Sequence, residues 1–216
     1  MKIKGKLVLL RMRRVLVFVI VMVIAKSSFA NPNTTSYREM IATFGYNKKI
    51  LKDIEAPAII ALSFYPELKN TKINFEYKEI STTMSTMPEL KSALLFQRSY
   101  VIYINSDAIK YGAVSYNELS LKQQVGLIAH ELAHVVYFES QSNLSIWGCG
   151  LMYECSPQYH MNLEKATDES VINRGLGEEL YAFTNYVINH SKASAEYIAF
   201  KKKNYLLPEE IKQRMK

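Results

Sequence analysis

The residues best placed to do chemistry in this chain are His130 and His134, in the run His130-Glu131-Leu132-Ala133-His134. On a helix, positions i and i+4 stand one turn apart on the same face, with Cβ atoms roughly 5–6 Å apart. Two imidazoles at that spacing can grip one cation. The carboxylate beside the first histidine then reaches a water held at that cation and can take its proton. A catalytic zinc takes three protein ligands and keeps a fourth position for water. The pentapeptide therefore needs a third donor, and without one it is two buried histidines satisfied by ordinary hydrogen bonds.

Glu164 is the better candidate for that donor. It falls on a separate helical segment, with Asp168 one turn further along on the same face. One carboxylate can bind the metal while the other accepts the free ring N–H of a ligand histidine, which fixes the tautomer and sharpens the site. His160 could take the place of Glu164, but it falls in a loop and has no paired carboxylate of its own. Cys149 and Cys155 offer a thiolate alternative. With five residues between them and an oxidising compartment expected, they are read instead as a disulfide closing a small loop.

Two patterns of zinc peptidase can be compared with this donor set. Metzincins place a third histidine six residues after the pentapeptide, with a glycine three residues before it; Ser140 and Tyr137 stand there, which excludes that branch. The chain instead resembles the gluzincins, the thermolysin-like zinc peptidases, whose pattern is HExxH on one helix and ExxxD on the next. His130-Glu131-Leu132-Ala133-His134 and Glu164-Lys165-Ala166-Thr167-Asp168 match it over about forty residues. The resemblance implies His130, His134 and Glu164 as zinc ligands, Glu131 as general base and Asp168 as the partner of His130. It also implies a side chain that steadies a tetrahedral oxyanion, for which Arg174, Tyr181, Tyr186 and His190 are the candidates. The chain is far shorter than the large members of that group and reads as a minimal catalytic domain.

These residues need a scaffold, and the hydrophobic pattern outlines one. Ser120-Leu121-Lys122-Gln123 is a capping box, predicting a helix from Leu121 to about Phe138. Val125, Leu127, Ile128, Leu132, Val135 and Val136 make that helix apolar over much of its surface, so it is buried. Polar groups left unpaired in such a place cost on the order of several kcal/mol, which a metal ion at the histidines would offset. A second helix is expected over roughly Met161–Arg174, stopped by Gly175 and Gly177, and a third over Glu178–Asn189. Short helices follow near Ala195–Lys202 and from Pro208, with Lys201–Lys203 as a solvated end.

Ahead of the metal helix, Lys48–Leu68 has the spacing of an amphipathic helix kinked or divided at Pro57. Ile73, Phe75 and Tyr77 alternate with polar residues in a half-buried strand. Ser81–Thr86 and Tyr100–Asn105 supply two more strands. The fold class expected is α+β, zincin-like: a small antiparallel or mixed sheet packed on the active-site helix, with further C-terminal helices. The polar stretch from Asn31 reads as a loosely held start to a single domain covering 31–216.

The net charge of +7 suggests a polyanion partner until its location is considered. Seven of the 27 basic residues (Lys2, Lys4, Lys6, Arg11, Arg13, Arg14 and Lys26) lie in residues 1–30, which carry no acidic residue. The remainder is balanced at 20 basic against 20 acidic, so nucleic-acid binding has no global support. Residues 1–30 have the parts of a secretory signal: a basic start, an apolar run over Val15–Ala25, and Ser28-Phe29-Ala30 before a cut at Asn31. The apolar run falls short of the roughly 20 residues that span a bilayer. An uncleaved anchor, formed if Leu7–Leu10 joins the run, would be the only tie to a membrane. The protein is thus expected in the periplasm, the cell envelope or the medium, as a zinc-dependent peptidase acting on peptides or proteins. The alternative is a zinc-holding binding or assembly factor that keeps the fold without catalysis.

Overall fold

The structure, a computed structural model, describes residues 34–89, 98–142, 145, 152–153 and 155–216. The leader over residues 1–30, Trp147 and Cys149 lie outside the described residues. The chain divides into two compact units, Met1–Ala42 and Thr43–Lys216. The described part of the first is helical, within α1 (Thr34–Phe44), where the polar composition suggested a loose terminus. Tyr37, Met40, Ile41 and Phe44 supply the helical spacing behind it.

The second unit holds the sheet, made of β1 (Lys48–Lys49), β2 (Lys72–Lys78), β3 (Met84–Pro88) and β4 (Ser99–Asn105) in the order β1-β2-β4-β3. The first three in that order run parallel, while β3 is antiparallel to β4 and forms one edge. The sheet is therefore mixed, and the fold is α+β. Ile73 and Phe75 of β2 and Tyr100, Ile102 and Ile104 of β4 are fully buried. That is the alternation expected of β2 as far as Phe75, with Tyr77 exposed instead at the end of the strand, whereas β4, flanked on both sides, is apolar almost throughout. Pro88 ends the edge strand, the place where a missing N–H breaks no ladder on the far side.

The segment from Lys48 departs from the expected helix. Lys48 pairs with Ile73 in the sheet, and its ammonium donates to the carbonyls of Tyr46 (2.9 Å), Leu68 (3.0 Å) and Thr71 (2.7 Å). Those bonds hold the lysine in an extended segment. The helix here, α2 (Glu55–Leu62), starts later. Pro57 sits in its first turn, where an N–H has no partner within the helix, so the proline neither kinks nor divides it.

The helix that carries His130 and His134, α3 (Leu121–Ser140), starts at the expected cap, with Ser120 N–H donating to Gln123 Oε1 at 2.8 Å. Every residue from Val125 to Val135 is buried. It packs against α2, β3 and two later helices, α4 (Pro157–Val171) and α5 (Gly177–Asn189). Between α4 and α5 the chain passes through one wide helical turn, Ile172–Leu176, and bends at Gly175 with φ of 86°. The expected break thus falls at the expected glycine. α6 (Ala195–Asn204) and α7 (Pro208–Arg214) complete the unit. Lys202 and Lys203 are solvated, but Lys201 is buried with its ammonium 3.6 Å from the centre of the Tyr205 ring. A cation stacked on an aromatic face tolerates that burial.

α3 and α5 meet at Gly126, one turn before His130. A Cβ at that position would lie 2.2 Å from the Glu179 carbonyl oxygen, which is backbone and cannot swing away. Alanine gains about 1 kcal/mol over glycine within a helix, but overpacking against backbone costs about 3 kcal/mol. Gly126→Ala should therefore lose about 2 kcal/mol, read as a lower midpoint of urea unfolding. An unchanged midpoint would mean that the two helices do not approach this closely.

Candidate metal centre

α3 carries His130, Glu131 and His134, and α4 lies across it with Glu164 and Asp168 on the facing side. All five side chains are buried. His130 Nε2 lies 3.0 Å from Glu164 Oε2, His134 Nε2 lies 3.4 Å from the same oxygen, and the two Nε2 atoms are 3.1 Å apart. His130, His134 and Glu164 form a group that could hold a metal ion.

The state of the rings follows from their other contacts. His130 Nδ1 lies 2.8 Å from Asp168 Oδ1. An ionised carboxylate only accepts, so Nδ1–H is the donor, and in the neutral ring Nε2 then turns its lone pair toward Glu164 and His134. Thr167 Oγ1 gives its proton to the Leu163 carbonyl at 2.8 Å, which leaves it to accept a long contact of 3.5 Å from His134 Nδ1–H. With both rings neutral, as a metal ion would require, each offers Nε2 as a bare donor atom, and Glu164 adds a negative oxygen. Three lone pairs converge on one point, an arrangement that needs a positive charge among them.

Electrostatics express the same demand. Burial opposes a charge on His130, but its hydrogen bonds to Asp168 and Glu164 outweigh burial and push its pKa up to about 10, so that without a cation a proton takes the place a metal ion would hold. Burial likewise raises Glu164, yet His134 and His130 more than reverse this and hold it well below the usual carboxylate range. The size of the space suits a metal as well. Metal–ligand bonds of about 2.0–2.1 Å in a tetrahedron set neighbouring donors about 3.3–3.4 Å apart, close to the three separations here.

The supporting contacts come from distant parts of the chain. Asp168 Oδ2 accepts from Leu206 N–H at 2.9 Å, so the lead-in to α7 holds the partner of His130. Thr86 Oγ1, on edge strand β3, lies 2.7 Å from Glu131 Oε2 and 3.1 Å from the Glu131 carbonyl. Tyr153 donates to Glu164 Oε1 at 2.7 Å. Spacing in the sequence carries no signal for any of these three.

His160 is not in a loop. It lies in the first turn of α4, which begins four residues earlier than expected because Ser156 caps it and Pro157 occupies its first position. It stands one turn before Glu164, but its Nε2 is 3.9 Å from Glu164 Oε1 and outside the converging trio. Cys155, at the exposed lead-in to this helix, carries a free thiol turned to solvent. Cys149 lies outside the described residues, and no disulfide is found among the described ones.

A cleft of about 780 Å³ opens over the trio. Its wall runs along Ile80–Pro88 on one side and includes Tyr153, His160 and Tyr205 on the other. None of the four residues proposed to steady an oxyanion lines it. Arg174 is bound to Glu67 and stacked 4.3 Å from the centre of the Tyr65 ring, and Tyr181 lies beneath Lys212. No protein-family model matches the chain, and no curated protein or solved structure does either.

Proposed function

We propose that the chain is a zinc-dependent peptidase of the gluzincin type with a zincin-like fold, acting outside the cytoplasm. The observation that carries this reading is the convergence of His130 Nε2, His134 Nε2 and Glu164 Oε2 within 3.4 Å of one another, with Asp168 behind His130. Two imidazoles and one carboxylate are the ligand set of the thermolysin type of catalytic zinc site, which leaves one position open. Zinc in that place supplies a Lewis acid that polarises a carbonyl and lowers the pKa of water.

The remaining roles belong to the chain. Glu131 lines the same cleft and takes a proton from the attacking water, then passes it to the leaving amine. Asp168 holds the His130 ring in the tautomer that leaves Nε2 free to bind. β3 runs along the cleft as an edge strand, where an extended peptide can add main-chain hydrogen bonds on its outer side. A strand bordering the cleft over its length favours endopeptidase action. The basic, apolar and small-residue stretches of residues 1–30 support export to the periplasm or the medium. Among the described residues no helix is long and apolar enough to cross a membrane.

The test is to purify the protein without added metal, measure its zinc and digest a peptide library. One zinc per chain is expected, with cleavage that a chelator stops and zinc restores. A protein that carries no zinc and takes none up would sink this reading.

A further inference from the structure

We propose that the Tyr153 hydroxyl is a positioning group for the metal centre, holding Glu164 to ligation through one oxygen and so keeping a coordination position open. This rests on the metal-centre reading above and extends it to a residue outside the ligand set. The two oxygens of Glu164 are divided between two tasks. Oε2 faces His130 Nε2 at 3.0 Å and His134 Nε2 at 3.4 Å, while Oε1 accepts from the Tyr153 hydroxyl at 2.7 Å. For Oε1 to join Oε2 on one cation, the carboxylate would have to tilt until both oxygens faced that cation, which draws Oε1 away from the Tyr153 hydroxyl.

The phenol is itself held in place. Its ring stacks on His160, with centroids 3.9 Å apart and planes 23° from parallel. His160 stands in the first turn of α4 and meets Phe200 edge-on, with centroids 5.6 Å apart. A row of rings from α6 through α4 thus fixes the hydroxyl over the carboxylate. The geometry gives His160 a part too: it is the platform for Tyr153, and its ring nitrogen lies 3.9 Å from Glu164 Oε1. Carboxylates bind cations through one oxygen or both. With one oxygen, the protein supplies three donors and a fourth position stays open for reaction. With both, the protein would supply four and crowd that position.

Tyr153→Phe tests this with little disturbance, because it keeps the ring and the stack and removes only the hydroxyl. Zinc affinity, measured by competition with a chromophoric chelator, should fall about 10- to 100-fold, the range for losing a partner of a metal ligand. With cobalt(II) in place of zinc, the visible bands should weaken, as they do when four-coordination gives way to a higher number. A phenol that merely supported the fold would lower the melting temperature without changing the cobalt spectrum. His160→Phe, which preserves a ring under Tyr153, should keep both zinc affinity and the cobalt spectrum of the wild type. An unchanged cobalt spectrum and affinity in Tyr153→Phe overturns the proposal, and so does loss of metal in His160→Phe, which would make His160 a ligand. If the wild type binds neither zinc nor cobalt, the metal-centre reading fails first, so the two failures are distinguishable.

Discussion

Glu164→Ala is expected to strip the protein of its metal, while His160→Ala keeps it. Glu164 supplies the negative donor of the converging trio, and its Oε2 sits within 3.4 Å of both ligand nitrogens. Alanine leaves two imidazoles, with Nε2 atoms 3.1 Å apart and no negative partner between them. Loss of a supporting partner already weakens a metal site by about 10- to 100-fold, so loss of a ligand should exceed about 100-fold. His160 stands one helical turn away and outside the trio, so its removal takes away the ring beneath Tyr153 but no donor, and costs at most about 10- to 100-fold, the range for a lost supporting partner. Zinc content after dialysis reads the difference, and circular dichroism confirms that both variants stay folded. Zinc retained by Glu164→Ala and lost by His160→Ala would move the third donor to His160.

The parts of this site that were legible in the sequence are those set by helical spacing. His130 and His134 at i and i+4, and Glu164 and Asp168 at i and i+4, each define one face of one helix. The structure brings those faces together. The start of α3 was readable because a capping box is local chemistry, and β2 and β4 because alternation and continuous burial leave a period in the sequence. What was missed is non-local. Leu206 N–H reaches Asp168 across 38 positions, and Thr86 reaches Glu131 across 45, so neither pair has a spacing to recognise. One miss had a signal. Ser156 followed by Pro157 marks a helix start, and that start puts His160 on the Glu164 face.

The contacts missed by spacing also show how the site is held. His130 is fixed by Asp168, Asp168 by the backbone before α7, and Glu131 by a hydroxyl on the edge strand. The centre thus draws on the sheet edge, on both long helices and on the C-terminal segment. It is as rigid as their packing, and this ties the Gly126 contact between α3 and α5 to the geometry of the donors.

Glu131→Gln should separate binding from turnover. Glutamine has nearly the same shape, and its amide oxygen can still accept the hydrogen bond that Thr86 gives to Glu131 Oε2, so the side chain keeps its place. What it lacks is the ability to take a proton at neutral pH. General base catalysis contributes about 10²- to 10⁴-fold, equal to about 3–5 kcal/mol of barrier. Turnover of a cleaved peptide should therefore fall at least about 100-fold, with the loss in kcat rather than KM, because the missing interaction belongs to the transition state. Zinc content should match the wild type, since Glu131 is not one of the three converging donors. A peptide-library digest read by mass spectrometry compares the two proteins directly. Equal cleavage by both rejects Glu131 as the base. If neither protein cleaves while both carry zinc, the result points to a binding or assembly factor in place of a peptidase.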